Sequence, residues 1–248
     1  IAAITIVLPI TFMISSIGMA IGVGGASIIS RALGADNPDK AQRTFGNQIA
    51  LCVTLASFFV ILGLIFRDES LALFGAKGDI IPPAVTYYTI VMMGVPFLAL
   101  CMTGNPVVRA EGKPKFAMVA LILPAIANIV LDILFIYVLN LGMSGAAWAT
   151  SISYFVCFAF IFWFFISKHS ELKLRLKCFV LEKAIVKEIA SLGSVTLARQ
   201  GVVTLLAIVL NHELFKYGGE ISIAVYGIIS RMLMFALFPV LGIAQGFL

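Results

Sequence analysis

The sequence predicts an all-α fold, a polytopic bundle of transmembrane helices, and three observations carry that prediction. Of the 248 residues, 61% are hydrophobic and only 12% are charged, where soluble domains carry about 25% charged residues. The mean hydropathy is +1.10, so the chain lacks the polar shell that a water-soluble core of this size needs, and lipid must be much of its solvent. The apolar residues fall into long runs parted by short polar spacers. A membrane barrel would instead show segments of about ten residues with strict alternation, and no such alternation occurs.

Seven apolar segments can be read in order: Ile1–Leu33, Thr44–Phe66, Pro82–Ala110, Phe116–Val138, Leu141–Ile166, Ile185–Leu210 and Ile221–Leu248. A bilayer core needs about 20 apolar residues per helix, so each is long enough to span. The chain opens inside the first run and stops inside the last, so it is expected to be a piece of a longer protein, with its seventh segment incomplete. The opening lacks the basic start and small-residue cleavage site of a signal peptide. Pro9, Gly22, Gly24, Gly25, Gly94, Pro96, Pro124 and Pro239 lie inside segments. In a membrane bundle such residues mark kinks and close helix contacts, because neighbouring helices satisfy the freed backbone groups.

The spacers set orientation. Arg31, Lys40, Arg43, Arg109, Lys113, Lys115, Lys168, Lys173, Arg175, Lys177, Lys183 and Lys187 fall on one side, against Arg67, Lys77 and Lys216 on the other. The positive-inside rule places the rich side in the cytoplasm. This topological pattern, with no single basic amphipathic face, also excludes nucleic acid as the partner despite the net charge of +5.

Ser167–Glu188 is the longest polar stretch, with Leu172, Leu174, Leu176, Phe179 and Val180 interleaved with charges. That pattern predicts an amphipathic helix on the cytoplasmic membrane surface. It also predicts a division into an amino-terminal bundle (1–166), a cytoplasmic linker (167–184) and the start of a second bundle (185–248). An internal repeat agrees with the division: Gly18 and Gly22 in the first segment match Gly242 and Gly246 in the seventh. Transporters are often built from such repeats, with the site between them.

Cys52, Cys101, Cys157 and Cys178 form no CxxC or Cys/His spacing, so neither a disulfide framework nor a zinc site is expected. No clustered His, acid or Cys set supports a membrane-embedded enzyme, and no filter-like loop supports a channel. His169 and His212 fit solvated loops.

Three charges lie deep within segments: Asp132, Arg199 and Arg231. A mid-bilayer charge costs at least ~2.5–3.5 kcal/mol and needs a partner or a wet cavity. Pro124, Asn128 and Asp132 share a helix face at i, i+4, i+8 spacing, and Pro124 frees the Ala120 carbonyl. A carboxylate beside a carboxamide suits H+ exchange or Na+ binding through oxygens; the alternative is a hydrogen-bonded strut. The short spacer that follows makes the fourth and fifth segments antiparallel neighbours, so Thr150, Ser151, Ser153 or Tyr154 could complete the set. Arg199 with Gln200, Arg231 and Gln245 are either cavity lining or interhelical pairing groups.

The motifs resemble a known family. GVGGASIISRALGADNPDKAQ (Gly22–Gln42) resembles the cytoplasmic end of the second helix of multidrug and toxic compound extrusion (MATE) transporters. Val107–Tyr137 resembles the end of the fourth helix, the loop and the fifth helix, and GMSGAAWATSIS (Gly142–Ser153) resembles the sixth. SLGSVTLARQGVV (Ser191–Val203) and YGIISRMLMF with GIAQGF resemble the seventh and eighth. The likeness is greatest to prokaryotic members of the DNA-damage-inducible branch.

The resemblance implies a protein of the cell membrane with two six-helix lobes. It implies cation-coupled export of small organic, cationic compounds, with no cofactor beyond the coupling H+ or Na+, by a monomer surrounded by lipid. Asn128, Asp132 and Thr150 match the fifth- and sixth-helix members of a cation site whose remaining aspartate belongs to a first helix outside this chain. Arg199, Gln200, Arg231, Gln245 and Tyr154 would line the substrate cavity. A seventh-helix glutamate used by another branch is absent from LARQGVVTLLA. A lipid-linked oligosaccharide flippase of the same superfamily is the alternative.

Overall fold

The computed structural model describes residues 2–73, 81–173 and 176–202, with isolated helical positions beyond. Chain contacts divide it into one compact unit through Thr196 and a second from Leu197 onward. The described elements are α1 (Ala2–Gly34), α2 (Pro38–Ile65), the short α3 (Arg67–Leu73), α4 (Ile81–Ala110), α5 (Pro114–Asp132) continued by a π-helical turn (Ile133–Val138), and α6 (Gly142–Ile166). A 3-10 turn (Leu176–Phe179) and a helix over 183–202, here α7, complete the set. Among the described residues there is no strand, and five helices are long and apolar enough to cross a membrane. The first five sequence segments are therefore found as helices. The sixth is described as far as residue 202, and the seventh, with its repeat, lies outside the described residues except at isolated positions. α3 was not expected.

Two turns on the basic side share one local solution. After α1, Asp36 adopts φ 55°, the Asn37 side chain accepts from Lys40 N at 3.0 Å, and Pro38 opens α2. After α4, Gly112 adopts φ 72° and Pro114 opens α5. A left-handed residue ends each helix, and a proline, which needs no amide partner, starts the next. On the other side, the chain reverses from α5 to α6 through Asn140 at φ 52°, a residue type that tolerates that region. The tight reversal makes α5 and α6 antiparallel neighbours, as the short spacer predicts.

α4 is the central helix of the first unit, contributing to all three of its apolar clusters. α1 lies against it through Gly18 and Gly22. A Cβ on Gly18 would come within 2.7 Å of the Ala99 carbonyl oxygen, and one on Gly22 within 2.6 Å of that of Met102. Only small residues allow this approach of two backbones. Gln48 of α2 reaches between the two helices, its amide donating to the carbonyls of Gly22 (3.1 Å) and Thr103 (3.2 Å). α5 sits at the margin: only Ala117 and Ala120 are buried, and its outward Leu and Ile side chains suit contact with lipid. A disulfide joins Cys101 of α4 to Cys157 of α6, which the cysteine spacing did not anticipate.

The linker departs from expectation. In place of an amphipathic helix, the described residues 167–173 and 176–182 form an irregular strap with one 3-10 turn. Its backbone is held by side chains from distant helices. Gln42 pairs with both the amide and the carbonyl of Lys173. Asn47 accepts from Glu182 N (2.6 Å) and donates to the Cys178 carbonyl (3.4 Å). Glu111, in the α4–α5 turn, accepts from Ser170 Oγ (2.8 Å) and Leu172 N (3.2 Å). These partners outcompete local i to i+4 bonding, which explains the loss of helix. Exposed ion pairs from Arg31 and Lys40 to Glu188, and from Arg43 to Glu182, lie alongside.

Candidate functional site

The residues that the sequence singles out in the fourth and fifth segments lie on the neighbouring helices α5 and α6. Asp132 is the last residue of regular α5, and the backbone after it widens into the π-helical turn. Such local widenings are frequent at functional sites. The carboxyl is half-buried. Asn128 lies one turn earlier on the same face, also half-buried.

α6 supplies Thr150 and Tyr154. Thr150 donates to the Ala146 carbonyl at 2.9 Å, which fixes its hydroxyl and leaves its oxygen free to accept. Tyr87 of α4 was missed by the sequence reading. Its hydroxyl lies within hydrogen-bonding reach of Thr150 and within electrostatic range of Asp132. Tyr154 is in turn close enough to Tyr87 to interact with it electrostatically. Both tyrosines pack in the apolar cluster to which α1, α2, α3, α4 and α6 contribute. A tyrosine in an apolar run carries no periodic signal of its own. The Tyr87-Tyr88 pair was the only hint, and its second member has a structural task, donating to the Gly63 carbonyl at 2.8 Å.

The Ala120 carbonyl, which Pro124 releases from its helical partner, lies 3.1 Å from the Cys157 sulfur. Among the described residues, no cluster of three His, Cys, Asp or Glu residues could hold a metal.

The cluster offers one carboxylate, one carboxamide, a threonine hydroxyl and two phenols, borne on three helices. Such a set can accept and release a proton, or give several oxygens to a small monovalent cation. The predicted cavity residues are less tightly placed. Arg199 and Gln200 belong to the second unit, where both are exposed. Arg231 and Gln245 lie outside the described residues.

Spanning helices, an intramembrane acid among polar side chains, and glycine-mediated helix contacts define a multi-pass membrane protein of the transporter class. A profile of the MatE family matches residues 1–134, and the chain belongs to that family. It is 28% identical over 246 residues to the multidrug export protein MepA of Staphylococcus aureus strain MRSA252, and 30% identical to MepA of Staphylococcus haemolyticus strain JCSC1435. Each match covers 99% of this chain and 54% of the relative, so the chain spans about half the length of the relatives it matches. Among solved structures, MATE in the bent conformation superimposes with a TM-score of 0.90 at 30% identity, over 97% of this chain and 54% of that one. A MOP-superfamily transporter from Pyrococcus furiosus, whose binding pocket is described as reversed in polarity, gives 0.87 at 30% identity with the same coverage. The membrane location and the helical MATE architecture follow from these matches.

Proposed function

We propose that the protein is a secondary active exporter of small organic, cationic compounds, working by alternating access and driven by the entry of H+ or Na+. The observation that carries this reading is the position of Tyr87 on α4, within hydrogen-bonding reach of Thr150 on α6 and within electrostatic range of Asp132 on α5, with Asn128 one turn before Asp132. Asp132 is the coupling group. Asn128 and Thr150 supply neutral oxygens, and Tyr87 adds a phenol that can donate to the carboxylate or to the Thr150 oxygen. The MepA relatives, described as multidrug export proteins, support the substrate class. Arg199, Gln200, Arg231, Gln245 and Tyr154 remain the proposed cavity residues.

The test uses the full-length protein in proteoliposomes under an imposed H+ or Na+ gradient, with an organic cation as substrate. The Asp132→Asn variant should lose gradient-driven accumulation while keeping substrate binding within about threefold. Unchanged gradient-driven transport by that variant would remove Asp132 from the coupling role. A flippase is the second reading. It predicts no organic-cation transport by the wild type and scrambling of a pyrophosphate-linked lipid instead.

A further inference from the structure

A cavity of about 340 Å³ in the first unit is lined by none of the functional residues named so far. Ile49 and Val53 of α2, Gly104 of α4, Phe158 and Phe162 of α6, and Phe179 of the strap line it. Its volume is at the lower end of ligand pockets, about 300–1,000 Å³. Such pockets usually carry a few convergent polar groups, yet here every lining side chain is aliphatic or aromatic. A hydrated or charged substrate would find no partner for its polar atoms there.

Three features point to the occupant. First, the depth fits. Phe179 lies on the strap, at the side that Lys and Arg place in the cytoplasm. From there the groove runs along α6 from near Phe165 to Phe158, about 10 Å at 1.5 Å per residue. A single leaflet of the hydrocarbon core is about 15 Å thick. Second, the groove opens sideways, since Val53 and Phe162 are 43% and 42% exposed. Side chains exposed in a spanning helix face lipid unless protein covers them. Third, the rim is basic. Lys173 and Lys183 are exposed at this end, and between positions 168 and 188 six Lys or Arg stand against three Glu. Basic residues beside a membrane surface attract anionic headgroups.

We infer that this groove is a binding site for one acyl chain of an anionic phospholipid of the cytoplasmic leaflet, whose headgroup is held by the basic strap. Phe158 and Phe162 stack at a centroid distance of 5.5 Å, giving the chain a rigid aromatic wall. The absence of a side chain on Gly104 lets Ile161 close the floor: a Cβ there would come within 2.7 Å of Ile161 Cγ2. Because the strap is clamped to α2 and to the α4–α5 turn, headgroup and chain sites are held at a fixed separation. The site would couple the lipid to the strap without involving Asp132.

The experiment uses the full-length protein in mild detergent with a photoactivatable phosphatidylglycerol, compared with its phosphatidylcholine counterpart. Cross-links should concentrate in the peptides holding Ile49–Val53 and Phe158–Phe162. Val53→Trp, which fills the groove from its open side, should reduce them at least tenfold while leaving the elution profile and helix content unchanged. The double variant Lys173→Gln, Lys183→Gln should abolish the preference for phosphatidylglycerol while phosphatidylcholine labelling persists. Labelling spread evenly over the outward helices, equal labelling by the two lipids in the wild type, or full labelling of a folded Val53→Trp protein would each overturn the site. The peptide map of the wild type decides the matter even if a variant fails to fold. No transport is measured, so the result is independent of the proposed function.

Discussion

The polar residues at the two ends of the first unit are used differently. At the strap end, Gln42 and Asn47 bond backbone groups of the strap through both their amide oxygen and their amide nitrogen, and one oxygen of Glu111 accepts from Ser170 Oγ and Leu172 N. Gln42 and Asn47 are buried at 8% and 0% exposure. At the opposite end, Asp132 and Asn128 are half-buried, and Tyr87 lies within hydrogen-bonding reach of Thr150 and within electrostatic range of Asp132. The first arrangement fixes a shape. The second leaves capacity open, as the proposed ion exchange would require. Satisfied buried polar groups read as structure, and an intramembrane acid with open capacity reads as function.

The largest expected effect separates these two roles directly. Asn47→Ala orphans the Glu182 amide and the Cys178 carbonyl. Each buried group left without a partner costs about 1–3 kcal/mol, so the strap end should lose about 2–4 kcal/mol. Asp132→Asn keeps the shape of a half-exposed side chain and should cost less than about 1 kcal/mol. Reversible unfolding of both variants in detergent checks the pair. Equal destabilisation would make Asp132 a strut, which is the alternative its sequence context leaves open.

The same contrast explains what the sequence could tell. Helix positions depend on runs of apolar residues, a local property, so the segments from Thr44–Phe66 to Leu141–Ile166 agree with α2, α4, α5 with its π turn, and α6 to within a few residues at most ends. The antiparallel placing of α5 and α6, which carry Asp132 and Thr150, was legible because a short spacer joins them. Tyr87 was not, because it comes from a helix 45 positions earlier and its apolar run hides it. The strap was misread for a similar reason. Its interleaved leucines suggest a helix, but its hydrogen bonds go to Gln42, Asn47 and Glu111, up to 135 positions away. Such partners leave no trace in a local pattern. The Cys101–Cys157 pair is non-local in the same way, 56 positions apart.

A smaller effect probes how far the polar cluster acts as one unit. Tyr87→Phe keeps the ring in its apolar setting and removes only the phenolic oxygen. One neutral hydrogen bond contributes about 0.5–1.5 kcal/mol, so stability should fall by no more than that. If Tyr87 serves the ion at Asp132, gradient-driven transport should fall several-fold more than the stability loss explains, and its pH or Na+ dependence should shift. A change in stability with an unaltered ion dependence would confine Tyr87 to packing.

The smallest effect concerns Glu111 and sharpens the contrast from the strap side. Burial pushes its carboxyl above the usual carboxylate range, the bonds from Ser170 and from the Leu172 and Glu171 amides oppose that shift, and the Glu171 charge adds to it. In the unfolded chain the same group ionises at its ordinary, lower value. The stabilising contribution is therefore complete at acid pH and is lost as pH rises through the raised value of the folded state. Amide exchange at Leu172, corrected for its intrinsic pH dependence, should slow as pH falls from 7 toward 5, both values spanning a range just above the ordinary carboxylate of about 4.3. Glu111→Gln mimics the protonated form and should hold Leu172 equally protected across that range. A strap that loosens on acidification would mean that the ionised carboxylate is the better anchor. The strap would then resemble Asp132 more closely, as a site where charge is wanted, and the division between a structural and a functional end would no longer hold.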